Sequence, residues 1–146
     1  MAILKSSVFL VVMIVLLLAC NGKSKPPTQL TYVKYISHYE GDSAMVFINK
    51  SKEIFSGSLI ISHGGDNLDS GEVKGVVKGD TLIGEFHFKH YQLAWKRKPV
   101  AFLMKGDTLV MGEGLMRLTV GIPNFDPSVP IDFKGEQRLI FLKSKK

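Results

Sequence analysis

Four histidines, a scatter of carboxylates and a single cysteine are the side chains of this sequence with chemistry to offer. His87 and His90 form a His-x-x-His pair at the end of an apolar alternating run. On a helix that spacing puts both rings on one face, but on a strand it sends them to opposite sides of the sheet. His38 and His63 fall in other segments, and no spacing among the four matches a zinc site, so no metal is expected. His63-Gly64-Gly65-Asp66, followed by Asn67 and Asp69, has the composition of a calcium loop but lacks the bidentate glutamate at its twelfth position, and reads as a polar loop. Without a Gly-x-Ser-x-Gly elbow or a second thiol there is no activated nucleophile. The chain reads as a non-enzyme that needs no cofactor.

Two further places draw attention. Glu85 and Glu113 lie in similar sequence contexts but one residue out of phase, so only one of them is expected inside. If Leu109, Met111 and Leu115 point inward, Glu113 does too unless a bulge at Gly112 or Gly114 rotates it out, and a buried carboxylate needs a partner. The segment Lys89 to Pro99 combines Tyr91, the only tryptophan (Trp95) and Lys96-Arg97-Lys98. It is read as a loop between strands that either offers aromatics beside cations to a ligand or membrane surface, or plugs one end of the fold with Leu93 and Trp95. The candidate ligand-binding residues are therefore Glu113, Trp95, Phe86, Phe88 and Met111.

The cysteine belongs to a different kind of element. Residues 1 to 19 carry one charge, Lys5, and then an unbroken apolar run from Val8 to Leu18 that ends at Ala19-Cys20. This run is too short to span a bilayer, which takes about 20 apolar residues. Its length is that of the apolar core of a secretory signal. Leu17-Leu18-Ala19-Cys20 resembles the lipobox of bacterial lipoproteins. The resemblance implies cleavage before Cys20 and a diacylglyceryl thioether on its sulfur. A lone exposed thiol gains little in an exported protein, whereas two or more acyl chains hold a protein stably on a bilayer. Asn21 to Gln29, with Pro26-Pro27 and no large apolar side chain, reads as a tether.

Residues 1–19 are thus expected to be a signal peptide, 20–29 a lipidated cysteine and tether, and 30–146 one domain. The membrane is the expected partner, through the acyl anchor on Cys20. A small amphipathic ligand or an envelope protein is expected beyond it. A formal net charge of +6 suits anionic surfaces, but export removes nucleic acid from consideration. The resemblance to bacterial lipoproteins implies the outer membrane, since no aspartate follows Cys20, and its periplasmic face, since no acidic cluster follows either.

Within residues 30–146 no apolar residues recur at helical spacing, and short runs rich in Val, Ile, Phe and Leu alternate with glycine-bearing breaks. Eight strands are expected, at 30–39, 43–49, 54–62, 71–78, 81–88, 99–105, 108–118 and 136–143. The pentapeptide Lys-Gly-Asp-Thr-Leu occurs at 78–82 and at 105–109. With Gly41-Asp42 it marks three two-residue hairpin turns, because glycine adopts the positive φ such turns require. The fold class is all-β: an antiparallel meander forming a small lipocalin-like closed or partly open barrel, with a β-sandwich as the alternative. Glycines inside the predicted strands favour the curvature of a barrel. The long Pro-rich segment Gly121 to Asp132, with Phe125 at its tip, is expected to be a stiff loop.

The order of features adds a second resemblance. A lipobox, a tether, the pattern from Gly71 to Phe88 and the pattern from Val100 to Gly114 together resemble β-rich lipoproteins common in Bacteroidota. This implies the fold and the anchor, and no activity. Mass spectrometry of protein extracted from its membrane is expected to show a mature N-terminus at Cys20 carrying acyl chains. An unmodified Cys20, or retention of Met1 to Ala19, would refute the anchor.

Overall fold

The alternation seen in the sequence becomes a cylinder. In the computed structural model, which describes residues 31–64, 67–135 and 138–145, ten strands appear and no helix. They are β1 (Val33–Tyr39), β2 (Asp42–Lys50), β3 (Ile54–Ser62), β4 (Leu68–Lys78), β5 (Thr81–His90), β6 (Ala94–Lys105), β7 (Thr108–Met111), β8 (Met116–Thr119), β9 (Ile122–Phe125) and β10 (Ile140–Lys143). Eight of them close an antiparallel barrel in the order β1-β10-β7-β6-β5-β4-β3-β2, and β8 and β9 form a separate hairpin inserted before the closing strand. The fold is the up-and-down, lipocalin-like barrel that the alternation predicts. The expected signal peptide, Cys20 and the tether lie outside the described residues.

Closure rests on β10. It pairs with β7 on one side and with β1 on the other, aligning Tyr35 with Lys143 and Ile36 with Leu142. Among the described residues every ladder partner lies between Val33 and Lys143, and Thr31–Lys146 is a compact unit with its own core. This is the condition for a domain to fold alone.

Because side chains alternate across a strand, each strand commits one parity to the interior. Val46 and Ile48, Leu59 and Ile61, Leu82, Phe86 and Phe88, and Val100 and Phe102 all follow it, with Leu109 and Phe141 closing the set. Phe86 and Phe88 stack with centroids 4.4 Å apart. Each such ring, taken out of water, is worth about 1.5–3 kcal/mol. On the inward face of β1, Ser37 is buried and its hydroxyl has no hydrogen-bond partner among the described residues.

Inward positions on β3, β4 and β5 also hold glycines, and one pair shows why. Gly75 and Gly84 face each other across the β4–β5 ladder. A Cβ on Gly84 would overlap the Lys74 carbonyl and come within 2.8 Å of Gly75 Cα. The strands approach too closely there for any side chain, which is how a narrow barrel turns its wall.

Both Lys-Gly-Asp-Thr-Leu copies are hairpin turns, with Lys78 opposite Thr81 and Lys105 opposite Thr108, and with Gly79 and Gly106 each at φ +59°. The first turn is displaced by one residue. Tyr39 pairs with Asp42, so the loop is Glu40-Gly41, with φ +45° and +90°. Positive φ at both central positions is the type I′ pattern, whose twist matches that of the strands.

Four element assignments are corrected. Lys89 to Pro99 is not a loop: β5 and β6 run through it, pairing Lys89 with Trp95 and Glu85 with Pro99, around a three-residue turn at Tyr91-Gln92-Leu93. Tyr91 and Gln92 take φ +51° and +59°, so no glycine announces the turn. Pro99 is tolerated because β7 pairs β6 only from Phe102 to Lys105, leaving β6 partnered on one side at Pro99. The strand expected over 108–118 ends at Met111, and the Pro-rich segment supplies β9. The closing strand, expected over 136–143, is Ile140–Lys143.

Gly84→Ala is expected to destabilise the domain by about 1–3 kcal/mol through backbone displacement, read as a lower urea midpoint. Val76→Ala, on a partly exposed site, should stay within about 0.5 kcal/mol.

Candidate functional site at the polar end of the barrel

Successive hairpins alternate between the two ends of a meander. The Lys-Gly-Asp-Thr-Leu turns therefore occupy one end, and the turns after Tyr39, Ser62 and His90 occupy the other. At this second end the inward parity stops being apolar. On β4 the residue in phase with Val73 is Asp69, on β5 the residue in phase with Phe86 and Phe88 is His90, and on β6 the residue in phase with Val100 is Lys98. The interior is packed over most of its depth and polar at this mouth.

Asp69 organises that mouth. It is 4% exposed, and its carboxylate is held from three directions. His90 Nδ1 lies 2.8 Å from Oδ1, His63 Nε2 lies 3.2 Å from Oδ2, and the Tyr91 backbone N–H donates to Oδ1 over 3.1 Å. An ionised carboxylate only accepts, so both imidazoles donate to it, which fixes their tautomers when neutral. His63 Nδ1 faces Asp42 Oδ2 at 3.6 Å. Burial alone pushes the Asp69 carboxyl upward, but the Tyr91 N–H and the two histidines together hold it below its ordinary value. The Tyr91 bond also secures the three-residue turn, and the rings of His90 and Tyr91 stack at 3.9 Å.

Beside this cluster is a cavity of about 640 Å³, open to solvent. Ile61, Met111 and Leu139 form its apolar side, and Met116 and Phe125, paired across the base of the β8–β9 hairpin, form another wall. Tyr39, His63, Lys98 and Arg138 bring polar groups, and Glu40, Asp42 and Glu113 line it as well. Arg138 is buried and donates from its guanidinium to the Gly135 carbonyl.

The candidate residues read from sequence part company here. Met111 lines the cavity and packs against the core, whereas Phe86 and Phe88 are buried in the packed interior below it. Glu113 is exposed and is not the buried carboxylate that strict alternation predicts. Beyond Met111 the chain leaves the barrel, and Glu113 exchanges backbone hydrogen bonds with Asp132 instead. Its side chain borders the cavity from the solvent side, and Leu115, expected inward, is 58% exposed.

Trp95 does not plug the barrel. It is 61% exposed on the outer face, with its ring 4.7 Å from that of His87 and Lys89 over it, and Leu93 is exposed at the turn. His87 outside and His90 inside bear out the strand reading of the His-x-x-His pair. Glu85 is outside, between Lys74 at 3.3 Å and Arg97 at 3.6 Å. Phe125 folds back against Gly114.

Asp69 is the functional candidate that the sequence reading passed over, and Lys98 was named there only as one of three cations in a loop. The signal was parity: starting β4 at Leu68 and β6 at Ala94 would have phased both side chains inward. Among the described residues no three His, Cys, Asp or Glu side chains form a metal-ligand group. Compared with protein-family models, curated proteins and solved structures, the chain matches none.

Asp69→Ala removes the acceptor of three donors and is expected to cost about 3 kcal/mol. The folded-state pKa of Asp69 lies below its ordinary 3.8. Its ionised form therefore stabilises the fold above that ordinary value, and the contribution is lost as pH falls through the lower folded value. The difference in Tm between wild type and Asp69→Asn should accordingly be full at neutral pH and shrink below about pH 4.

Proposed function

We propose that this chain is a lipid-anchored envelope protein, tethered through Cys20 at the periplasmic face of the outer membrane, that binds a small amphipathic molecule without transforming it. The observation that carries the binding half is the cavity of about 640 Å³ at the polar mouth of an otherwise packed barrel. Its size falls within the range of small-molecule sites, roughly 300–1,000 Å³. Its lining joins apolar side chains to a few convergent polar groups, which suits a ligand with one greasy and one polar part. The anchor half is supported by the lipobox-like ending of an export-length apolar run.

A second reading, an envelope scaffold, has its own support. The β8–β9 hairpin exposes Met116, Leu118, Val120 and Ile122, with Val120 at 97%, an apolar surface of the kind that marks contact sites.

The test uses N-phenyl-1-naphthylamine, a neutral dye that brightens in apolar surroundings, titrated into the Thr31–Lys146 domain. Saturable binding at one site per domain is expected. Met116→Arg, a change at a partly exposed wall residue, should weaken binding at least about tenfold while leaving the fold intact. Absence of saturable binding, or equal binding by a folded Met116→Arg variant, overturns the proposal.

A further inference from the structure

The wall of the cavity changes character at one residue. Along the inward face of β6 the order is Lys96, Lys98, Val100, Phe102, and the apolar pair is fully buried whereas Lys98 is half-buried at the edge of the cavity. Its ammonium stands 5.6 Å from the ring centroid of Phe86 and 5.5 Å from that of Phe88, over the stacked pair. The faces of aromatic rings attract a cation but give it no oxygen to donate to. No carboxylate among the described residues comes within 4 Å of it. Asp69 is the anion it feels, but that carboxylate is bonded by His63, His90 and Tyr91 and forms no ion pair with Lys98. Burial pushes the Lys98 ammonium below its ordinary value, and Asp69 opposes the shift.

A desolvated cation with donors to spare, facing an open cavity, is an unfinished ion pair. Arg138 lines the same space and is oriented by its bond to Gly135. The carboxylates of the lining do not complete the pair: Glu40 and Glu113 are exposed at the solvent side, and Asp42 lies beside His63. Exposed charges of this kind act weakly through water and salt. The apolar side chains Met111, Met116, Phe125 and Leu139 border the remaining volume.

Building on the binding reading above, we infer that the ligand of this cavity is an anionic amphiphile, its carboxylate or phosphate head seated on Lys98 with Arg138 nearby and its tail lying along Met111, Met116 and Phe125. A charge-assisted bond to a half-desolvated ammonium distinguishes such a head from an alcohol or amine of the same length.

The experiment displaces the naphthylamine dye from the Thr31–Lys146 domain with decanoate, decyl phosphate, decanol, decylamine and tailless acetate. Decanoate or decyl phosphate should compete at least about tenfold more tightly than decanol or decylamine, and acetate far more weakly. Lys98→Met, which removes the charge and leaves an unbranched side chain one atom shorter, should abolish that preference and bring decanoate to the level of decanol. Equal competition by decanoate and decanol, survival of the preference in Lys98→Met, or competition by acetate as strong as by decanoate each overturns the anionic assignment and leaves amphiphile binding standing. Failure of the dye and every ten-carbon compound to bind overturns both.

Discussion

Everything in this domain depends on one strand, β10, pairing with β1 on one side and β7 on the other. Four residues of β10 complete the cylinder, and with it the backbone hydrogen bonds of the two strands that would otherwise be edges. Closure also creates an inside, which must be filled, bound to something or wet. The chain fills it with stacked and edge-on aromatics over most of its depth. It leaves polar groups at the end where the β8–β9 hairpin is inserted.

The two ends follow different rules. At one, Gly79-Asp80 and Gly106-Asp107 make tight turns, and Asp107 meets Lys143 of the closing strand at 3.1 Å. At the other, Glu40-Gly41 also turns tightly, but in the turn after His90 a buried carboxylate takes the place of glycine. Asp69 reaches from β4 to the backbone of Tyr91 and holds a turn whose residues would not choose positive φ by themselves. The same group aligns two imidazoles and sets the field around Lys98. A single side chain thus stabilises the turn and shapes the electrostatics of the cavity, which binds structural and functional roles together at that end.

Much of the fold was legible because a barrel strand has a simple code. Leu82, Phe86 and Phe88 alternate with polar neighbours, and Gly-Asp between two such runs identifies a hairpin. The code failed where polarity lost its usual meaning. Lys96, Arg97 and Lys98 read as a solvated loop because a strand with cations on both faces lacks the apolar alternation that identifies it. Tyr91 and Gln92 concealed a turn because a tertiary bond, not their own preference, holds them there. Glu113 was assigned inward by counting from Leu109, and counting assumes an unbroken strand. The chain departs after Met111, where Gly112 packs against Ile131 and Phe133 with no room for a side chain.

By itself, then, the sequence determined an all-β meander, its curvature, the positions of the two Lys-Gly-Asp-Thr-Leu turns and the parity that builds the core. All of these are local, set by backbone sterics and by alternation within a strand. The tertiary structure alone decided which polar residues meet. Asp69, His63, His90 and Lys98 come from the β3–β4 turn and from the neighbouring strands β4, β5 and β6, and the pairing register of those strands brings them to one mouth. Their partnership is a matter of cross-strand register and of lost water, and neither is written in the spacing along the chain.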